Sequence, residues 1–337
     1  MSMKELVFKG IYNEIGKQLG KIYHKNGKSF GVKRFDKNLY NKQLSLYKKF
    51  YPEILEEFKG ISESGNYNYE DVIYSNIIGE IDWYKNKTKR SSCTIFGVQN
   101  KFGTFVGRNY DWYPKTTASI YKYNNPQSFK YTTITDNNYG IEPKKEDITY
   151  YIDDAINEKG LYIGITFAHG ANISSGLTSG HIRKLIIEKC KNVPEALELF
   201  KKIPVCCPKN FFIADKNGEM AVVEHASGKN FKIIRPENEI LIKTNHYLDP
   251  KLIKQDLIFK NRPTNSTYVR YYELLRNINL IGVDNIKQTD VTKLILDKKS
   301  YIVQNSLNTK TIWSLSMDMK KGKYELYYKG NTKRLTM

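Results

Sequence analysis

With 337 residues and 40% hydrophobic content, the chain can bury a large core without disulfide or metal staples, and its formal charge of +19 raises the question of a nucleic-acid partner. Its basic residues, mostly lysines, are scattered along the whole chain and form no tight run with interleaved aromatics, so a solvated lysine-rich surface is expected and no nucleic acid. Cys93, Cys190, Cys206 and Cys207 lack both disulfide-framework and zinc-site spacing, the five histidines lack HExxH spacing, and no apolar run approaches the ~20 residues that span a bilayer. A reducing, cytoplasmic setting without membrane or metal is the expectation.

Ile11, Ile15, Leu19 and Ile22 predict a helix over 9–24. Helical spacing continues over 39–60, where Pro52 either kinks one helix or opens another, and a further helix is predicted over 69–84. The first ninety residues therefore read as helical. Residues 85–92 are polar, basic and small, as in an exposed linker. A hairpin is predicted next: a strand opened by Cys93, a turn at 100–103, and a return strand over 104–109. Strands are predicted at 147–153, 160–167, 210–215, 219–225, 229–234 and 239–244, with turns at 216–218 and 227–229, as a meander of antiparallel pairs. Two helices fit 178–202, the second with Pro194 in its first turn, and others fit 266–278 and 290–297. Closing strands are expected at 311–316 and 324–328. Strand groups separated by helix pairs predict an α+β fold of two stacked antiparallel sheets with helices outside.

The chemistry-bearing stretch is Cys93 to Trp112, because a hairpin folds Arg108 and Asp111 back toward Cys93. A thiol reacts as thiolate, and a nearby guanidinium is expected to pull its pKa below the ordinary ~8.5. Were the bond between Ser92 and Cys93 cut, the new α-amine would titrate at ~7.7–8.0 and could take the thiol proton, so no histidine would be required. Asp111 could hold the α-ammonium by a charge-assisted hydrogen bond. Other readings stay open: Cys93 as a small buried hydrophobe, Arg108 and Asp111 as a surface ion pair, or an unprocessed pair of Cys93 with His169, His225 or His246.

Cys93 followed by Gly-Arg108-Asn-Tyr-Asp111-Trp resembles the isopenicillin-N/6-aminopenicillanate acyltransferase family, related to choloylglycine hydrolases and penicillin V acylases. The resemblance extends through Gly160-Leu-Tyr-Ile-Gly-Ile-Thr166-Phe, Lys243-Thr-Asn245-His-Tyr, Asn265-Ser-Thr-Tyr-Val-Arg270 and Thr311-Ile-Trp-Ser-Leu-Ser. Gly10-Ile-Tyr-Asn-Glu-Ile-Gly16 and Tyr51-Pro-Glu-Ile-Leu-Glu-Glu-Phe-Lys-Gly-Ile-Ser62 are similar to the acyltransferase branch.

This resemblance implies a four-layer αββα sandwich of the N-terminal-nucleophile type, a helical leader over 1–92 and a catalytic domain over 93–337. It implies autoproteolysis, Cys93 attacking the Ser92 carbonyl, and catalysis by Cys93, Arg108, Asp111, Asn245 and Arg270. Asn245 would give a side-chain N–H, and Thr166 its backbone N–H, to the oxyanion. Arg270 would stabilise the thiolate or a substrate carboxylate. The expected reaction is hydrolysis of linear N-acyl amides through an S-acyl intermediate, without a cofactor. The alternative is N-acyl transfer with acyl-CoA as co-substrate, and the rival from another class is a basic binding protein. The partner is then a small acyl amide or thioester, and assembly into a homo-oligomer is compatible with it.

Overall fold

The computed structural model describes residues 3–27, 29–30, 36–86, 92–136, 152–170, 172–257 and 266–336. Helix α1 (Tyr12–Lys25) buries Tyr12, Ile15, Gly16, Leu19 and Gly20 along one stripe, the spacing that directs a helix face to a core. Glycines on both helices set how closely α1 and α3 (Glu53–Gly65) approach: a Cβ on Gly16 of α1 would lie 2.0 Å from the Glu57 carbonyl oxygen, and one on Gly60 of α3 2.1 Å from that of Asn13. Any larger side chain would push the two backbones apart. Helix α2 (Lys37–Phe50) is capped by Asp36, which accepts from the Leu39 N–H, and Pro52 separates it from α3 as the N-cap of the new helix. Helix α4 (Tyr69–Asn86) closes this helical group.

Two sheets follow. The first has eight strands in the order β1-β4-β5-β6-β7-β8-β9-β10 and the second six in the order β11-β2-β3-β12-β13-β14. The first comprises β1 (Lys4–Lys9), β4 (Ala118–Asn124), β5 (Tyr131–Asp136), β6 (Asp154–Asn157), β7 (Leu161–Phe167), β8 (Lys209–Asp215), β9 (Met220–Ser227) and β10 (Asn230–Ile234). The second comprises β2 (Ser92–Asn100), β3 (Gly103–Trp112), β11 (Ile240–Lys243), β12 (Lys310–Asp318), β13 (Lys323–Tyr328) and β14 (Asn331–Leu335). The remaining helices are α5 (Ser179–Lys189), α6 (Val193–Lys202), α7 (Pro250–Ile253), α8 (Ser266–Ile281) and α9 (Gln288–Leu296).

Alternation along the strands sorts the core. Ile163, Phe211, Ile213 and Val223 of the first sheet join Ile54, Phe58, Ile77 and Ile182 of the helices in one cluster. Tyr162, Phe212 and Val222, their neighbours along the same strands, join Cys93, Ile95, Tyr110 and Leu315 of the second sheet in another. Phe96, Val98 and Phe105 pack with Leu274, Ile278, Val291 and Ile295 of α8 and α9. Among the described residues no helix is long and apolar enough to cross a membrane.

The predicted hairpin forms with Asn100 opposite Gly103, and the helices between 178 and 202 fall at α5 and α6. Other expectations change. The first ninety residues are not all helical, because Lys4–Lys9 forms β1 and pairs in parallel with β4, from Lys4 opposite Ser119 to Lys9 opposite Asn124. The meander also breaks: β8, β9 and β10 are sequential neighbours, but β11 crosses to the second sheet and pairs with β2, Lys243 opposite Ile95. The strand predicted at 147–153 falls mostly on 147–151, outside the described residues, and the observed strand is β6. Most of the predicted linker, 87–91, is likewise outside them.

Candidate active site

Antiparallel register places opposed residues on the same face of a sheet. Cys93 stands opposite Tyr110 and Ile95 opposite Arg108, so these side chains share the face turned to the first sheet. Ser92 stands opposite Asp111 and Thr94 opposite Asn109, on the face packed by α8 and α9. The hairpin therefore brings both Arg108 and Asp111 to Cys93, on opposite faces.

On the inner face, Arg108 is fully buried, its Nε 3.1 and 3.2 Å from the two carboxylate oxygens of Asp154 on β6. Its Nη1 donates to the Asn109 carbonyl at 3.0 Å, and the guanidinium lies 5.2 Å over the Tyr110 ring. Asp154 also accepts from the Tyr162 hydroxyl at 2.7 Å and the Trp313 indole at 2.8 Å. Trp313 stacks on Tyr110 with centroids 3.7 Å apart. Asp154, Tyr162 and Trp313 thus fix the arginine, and sequence reasoning assigned none of them a role.

Burial pushes the Cys93 thiol up from its ordinary value. The Arg108 guanidinium pulls it down, and Asp111 pushes it up again. The expected lowering by Arg108 is therefore outweighed, because a cysteine only 4% exposed loses the solvation that a thiolate needs. Sγ lies 4.0 Å from the Asp111 carbonyl and also meets the Arg108 guanidinium.

On the outer face the contacts go to the backbone of residue 93. The Cys93 N–H donates to the Asn245 side-chain oxygen at 2.8 Å. Arg270, fully buried on α8, donates from Nη1 to the Cys93 carbonyl and to Thr94 Oγ1 at 2.8 Å, and from Nη2 to the Asn245 oxygen at 2.8 Å. Asn245 donates its amide to the Phe167 carbonyl at 3.0 Å, and its own N–H goes to Thr267 at 2.8 Å. Asp111 accepts from Thr311 at 2.6 Å, and its second oxygen has no hydrogen-bond partner among the described residues. Burial raises Asp111 to about 7 against the pull of Arg270.

Thr166 ends up near this group through Oγ1, which donates to the Thr244 carbonyl at 2.5 Å and accepts from Asn210 at 3.1 Å. Ser92, 8% exposed, touches Ser266 at 3.5 Å. The turn carrying Asn245 is fastened by a buried Lys243–Glu224 pair: Lys243 also donates to the His246 carbonyl, while Glu224 accepts from the N–H groups of Leu248 and Asp249. His246 lies against Thr244 and Thr267, and His225 accepts from the Ser227 N–H. One group of metal-ligating type occurs among the described residues, Glu80 with Cys206 and Cys207, but the Lys209 ammonium at 3.1 Å already neutralises that carboxylate.

Residues 98–333 match the family model described as acyl-coenzyme A:6-aminopenicillanic acid acyl-transferase. The chain belongs to that family. The match covers more than half of the sequence and begins just after Cys93. No curated protein matches in sequence. Among solved structures, penicillin V acylase from Agrobacterium tumefaciens is similar at a TM-score of 0.50 and 16% identity, over 73% of this chain and 86% of that one. A mutant of the conjugated bile acid hydrolase from Clostridium perfringens gives 0.48 and 13%, over 73% and 92%. The Caenorhabditis elegans ortholog of N-acylethanolamine-hydrolyzing acid amidase gives 0.49 and 12%, over 72% and 100%. The likeness to the acylase carries the fold: this family member shares its mixed α+β fold, here built on two sheets. Family membership makes it an enzyme of acyl transfer, as hydrolase or acyltransferase.

Proposed function

We propose that the chain is the precursor of an amidohydrolase whose nucleophile is Cys93, built on an αββα sandwich and activated by cutting the 92–93 bond. The observation that carries this reading is the convergence of Arg108, Asp111, Asn245 and Arg270, from separate stretches of sequence, on the sulfur and backbone of one residue. Cys93 Sγ attacks the Ser92 carbonyl carbon, the peptide C–N bond breaks as the acyl group moves to sulfur, and the nitrogen takes the thiol proton. Water then hydrolyses the thioester, releasing the leader's carboxylate and restoring the thiol.

The freed α-amine stays within reach of the Asn245 oxygen that accepts from the Cys93 N–H, and the second Asp111 oxygen is open to it. In turnover the amine takes the thiol proton, the thiolate attacks an N-acyl amide carbonyl, and the protonated amine gives its proton to the leaving nitrogen. Water resolves the S-acyl enzyme. The Thr166 N–H is assigned to the oxyanion. Asn245 is assigned first to the α-amine, because a side-chain N–H offered to the oxyanion would have to leave the Phe167 carbonyl. Arg270 is committed to the backbone of residue 93 and to Asn245, which favours a role at the nucleophile over one at a substrate carboxylate.

The family description supports a second reading, in which an acyl-CoA loads Cys93 and an amine resolves the intermediate. Intact-mass analysis of the purified protein beside Cys93→Ala tests the nucleophile. Two fragments with Cys93 at the new terminus are expected, and one uncut chain for the variant. An uncut wild-type chain that releases no amine from N-acyl amides and transfers no acyl group from acyl-CoA defeats the reading.

A further inference from the structure

Helix α4 precedes the proposed cut, yet one of its faces is built into the site. Glu80 and Tyr84 are four residues apart and so share that face. Glu80 accepts from the N–H and the hydroxyl of Ser179, each at 2.6 Å, and pairs with Lys209. The Tyr84 hydroxyl donates to the Ala168 carbonyl at 2.6 Å, just past the end of β7. Its ring stacks on Phe167 at 5.5 Å with an interplanar angle of 12°, and the Lys209 ammonium lies 4.0 Å from the Phe167 ring and 5.2 Å from that of Tyr84.

Phe167 and Ala168 are the residues through which this grip reaches the nucleophile. The Phe167 carbonyl accepts from the Asn245 amide at 3.0 Å, and the Asn245 oxygen accepts from the Cys93 N–H at 2.8 Å. Phe167 is the last residue of β7, paired on one side with Lys209 of β8, and β6 pairs β7 only from Tyr162 to Gly164. Among the described residues no strand pairs 165–168 on that side, and α4 takes up part of the task of fixing them.

We propose that Tyr84, in the segment before the proposed cut, is a positioning residue: it fixes the 167–168 backbone and through it the side chain of Asn245. The inference rests on the nucleophile reading above and adds that the cut leader must stay bound for turnover. Tyr84 touches no reacting atom. Burial keeps its hydroxyl protonated, so the bond to Ala168 persists across the working pH range.

The test is Tyr84→Phe in the full-length chain, which keeps the ring stack and leaves the Ala168 carbonyl without its donor. Expected are unchanged self-cleavage products, a thermal midpoint within a few degrees of wild type, an unchanged KM for an N-acyl amide, and a kcat lower by about tenfold, the cost of one buried hydrogen bond. The pH profile of kcat should shift on its α-amine limb, since Asn245 holds that amine. Tyr84→Leu, which also removes the ring, should lower kcat further. Wild-type kcat and pH profile in Tyr84→Phe overturn the proposal, as does a kcat loss with an unshifted profile and a matching loss of thermal stability. If the wild-type chain neither cleaves itself nor turns over an acyl substrate, the nucleophile reading fails and takes this inference with it.

Discussion

Replacing Lys184 by Met tests how the first 92 residues are joined to the rest. Lys184 on α5 is fully buried, its Nζ 3.1 Å from Glu57 of α3 and 2.9 Å from Glu188, with Tyr131 Oη at 2.9 Å. Glu188 also accepts from the hydroxyls of Tyr12, Tyr51 and Tyr131. Among the described residues the Lys184 ammonium is the donor that meets Glu57, so it is the main compensation for that carboxylate. Burial already holds Glu57 up at about 7 against the pull of Lys184. Methionine fills a similar volume but leaves two buried carboxylates without their cation, which costs about 3–5 kcal/mol.

The sign of the pH dependence follows. Glu57 in the folded chain titrates above its unfolded value of ~4.3, so its burial is a penalty that grows from there to about pH 7 and then levels off. Without Lys184 the folded pKa rises further, and the penalty keeps growing above pH 7 by up to ~1.4 kcal/mol per pH unit. Urea unfolding of Lys184→Met should therefore show a loss at pH 6 and a loss at pH 8 larger by about 1–2 kcal/mol. The measurement belongs in a Cys93→Ala background, where the proposed reading keeps the chain in one piece. A loss below about 1 kcal/mol at pH 8, or equal losses at both values, refutes the reasoning.

Asp154→Asn should slow self-cleavage and single-turnover acylation on the order of 10²-fold, because an amide nitrogen cannot accept and one of the donors from Arg108, Tyr162 or Trp313 loses its partner. A mass-spectrometric time course reads both rates, and wild-type rates would show that Arg108 needs no clamp. Gly16→Ala places a methyl 2.0 Å from the Glu57 carbonyl oxygen, so α1 and α3 must separate. Its urea midpoint should fall by the equivalent of about 1–3 kcal/mol, and an unchanged midpoint would mean that the helices have slack.

What could be read from the sequence depended on which residues keep an undisturbed period. Helix α1 is one-sided, and the hairpin ends in a recognisable turn, so both were legible. Strands β4 and β5 were not: Tyr131–Asp136 is buried throughout, yet with three threonines and an aspartate it shows neither alternation nor an apolar run. β1 is only six residues long and leads straight into α1. The crossing of β11 to the second sheet, which brings Asn245 to Cys93, leaves no local mark, since its residues would suit a third meander strand equally well. Arg108, Asp111, Asn245 and Arg270 could be named through motif resemblance, whereas Asp154 on β6 and Tyr84 on α4 meet the site only through tertiary packing. The direction of the Cys93 shift was missed for a related reason: a nearby arginine can be guessed from a hairpin, but burial of the sulfur cannot.

On the proposed reading, the two faces of the hairpin also explain why two arginines serve one cysteine. Arg108, held by Asp154, acts on the sulfur from the side of the first sheet. Arg270, with Asn245, holds the carbonyl and N–H of the same residue from the side of α8, and Asp111 stands opposite Ser92 on that side. A cysteine that reacts only through its side chain needs the first arrangement and gains nothing from the second. Buried charges and hydrogen bonds aimed at the main chain of residue 93 have a chemical purpose when that main chain itself reacts, first as the nitrogen leaving the Ser92 acyl group and afterwards as the base beside the thiol. On the proposed reading, covering the sulfur while engaging the backbone suits a chain that must first cut itself: burial keeps the thiol protonated in the intact precursor, and the cut supplies the amine that turnover requires while the leader stays in place.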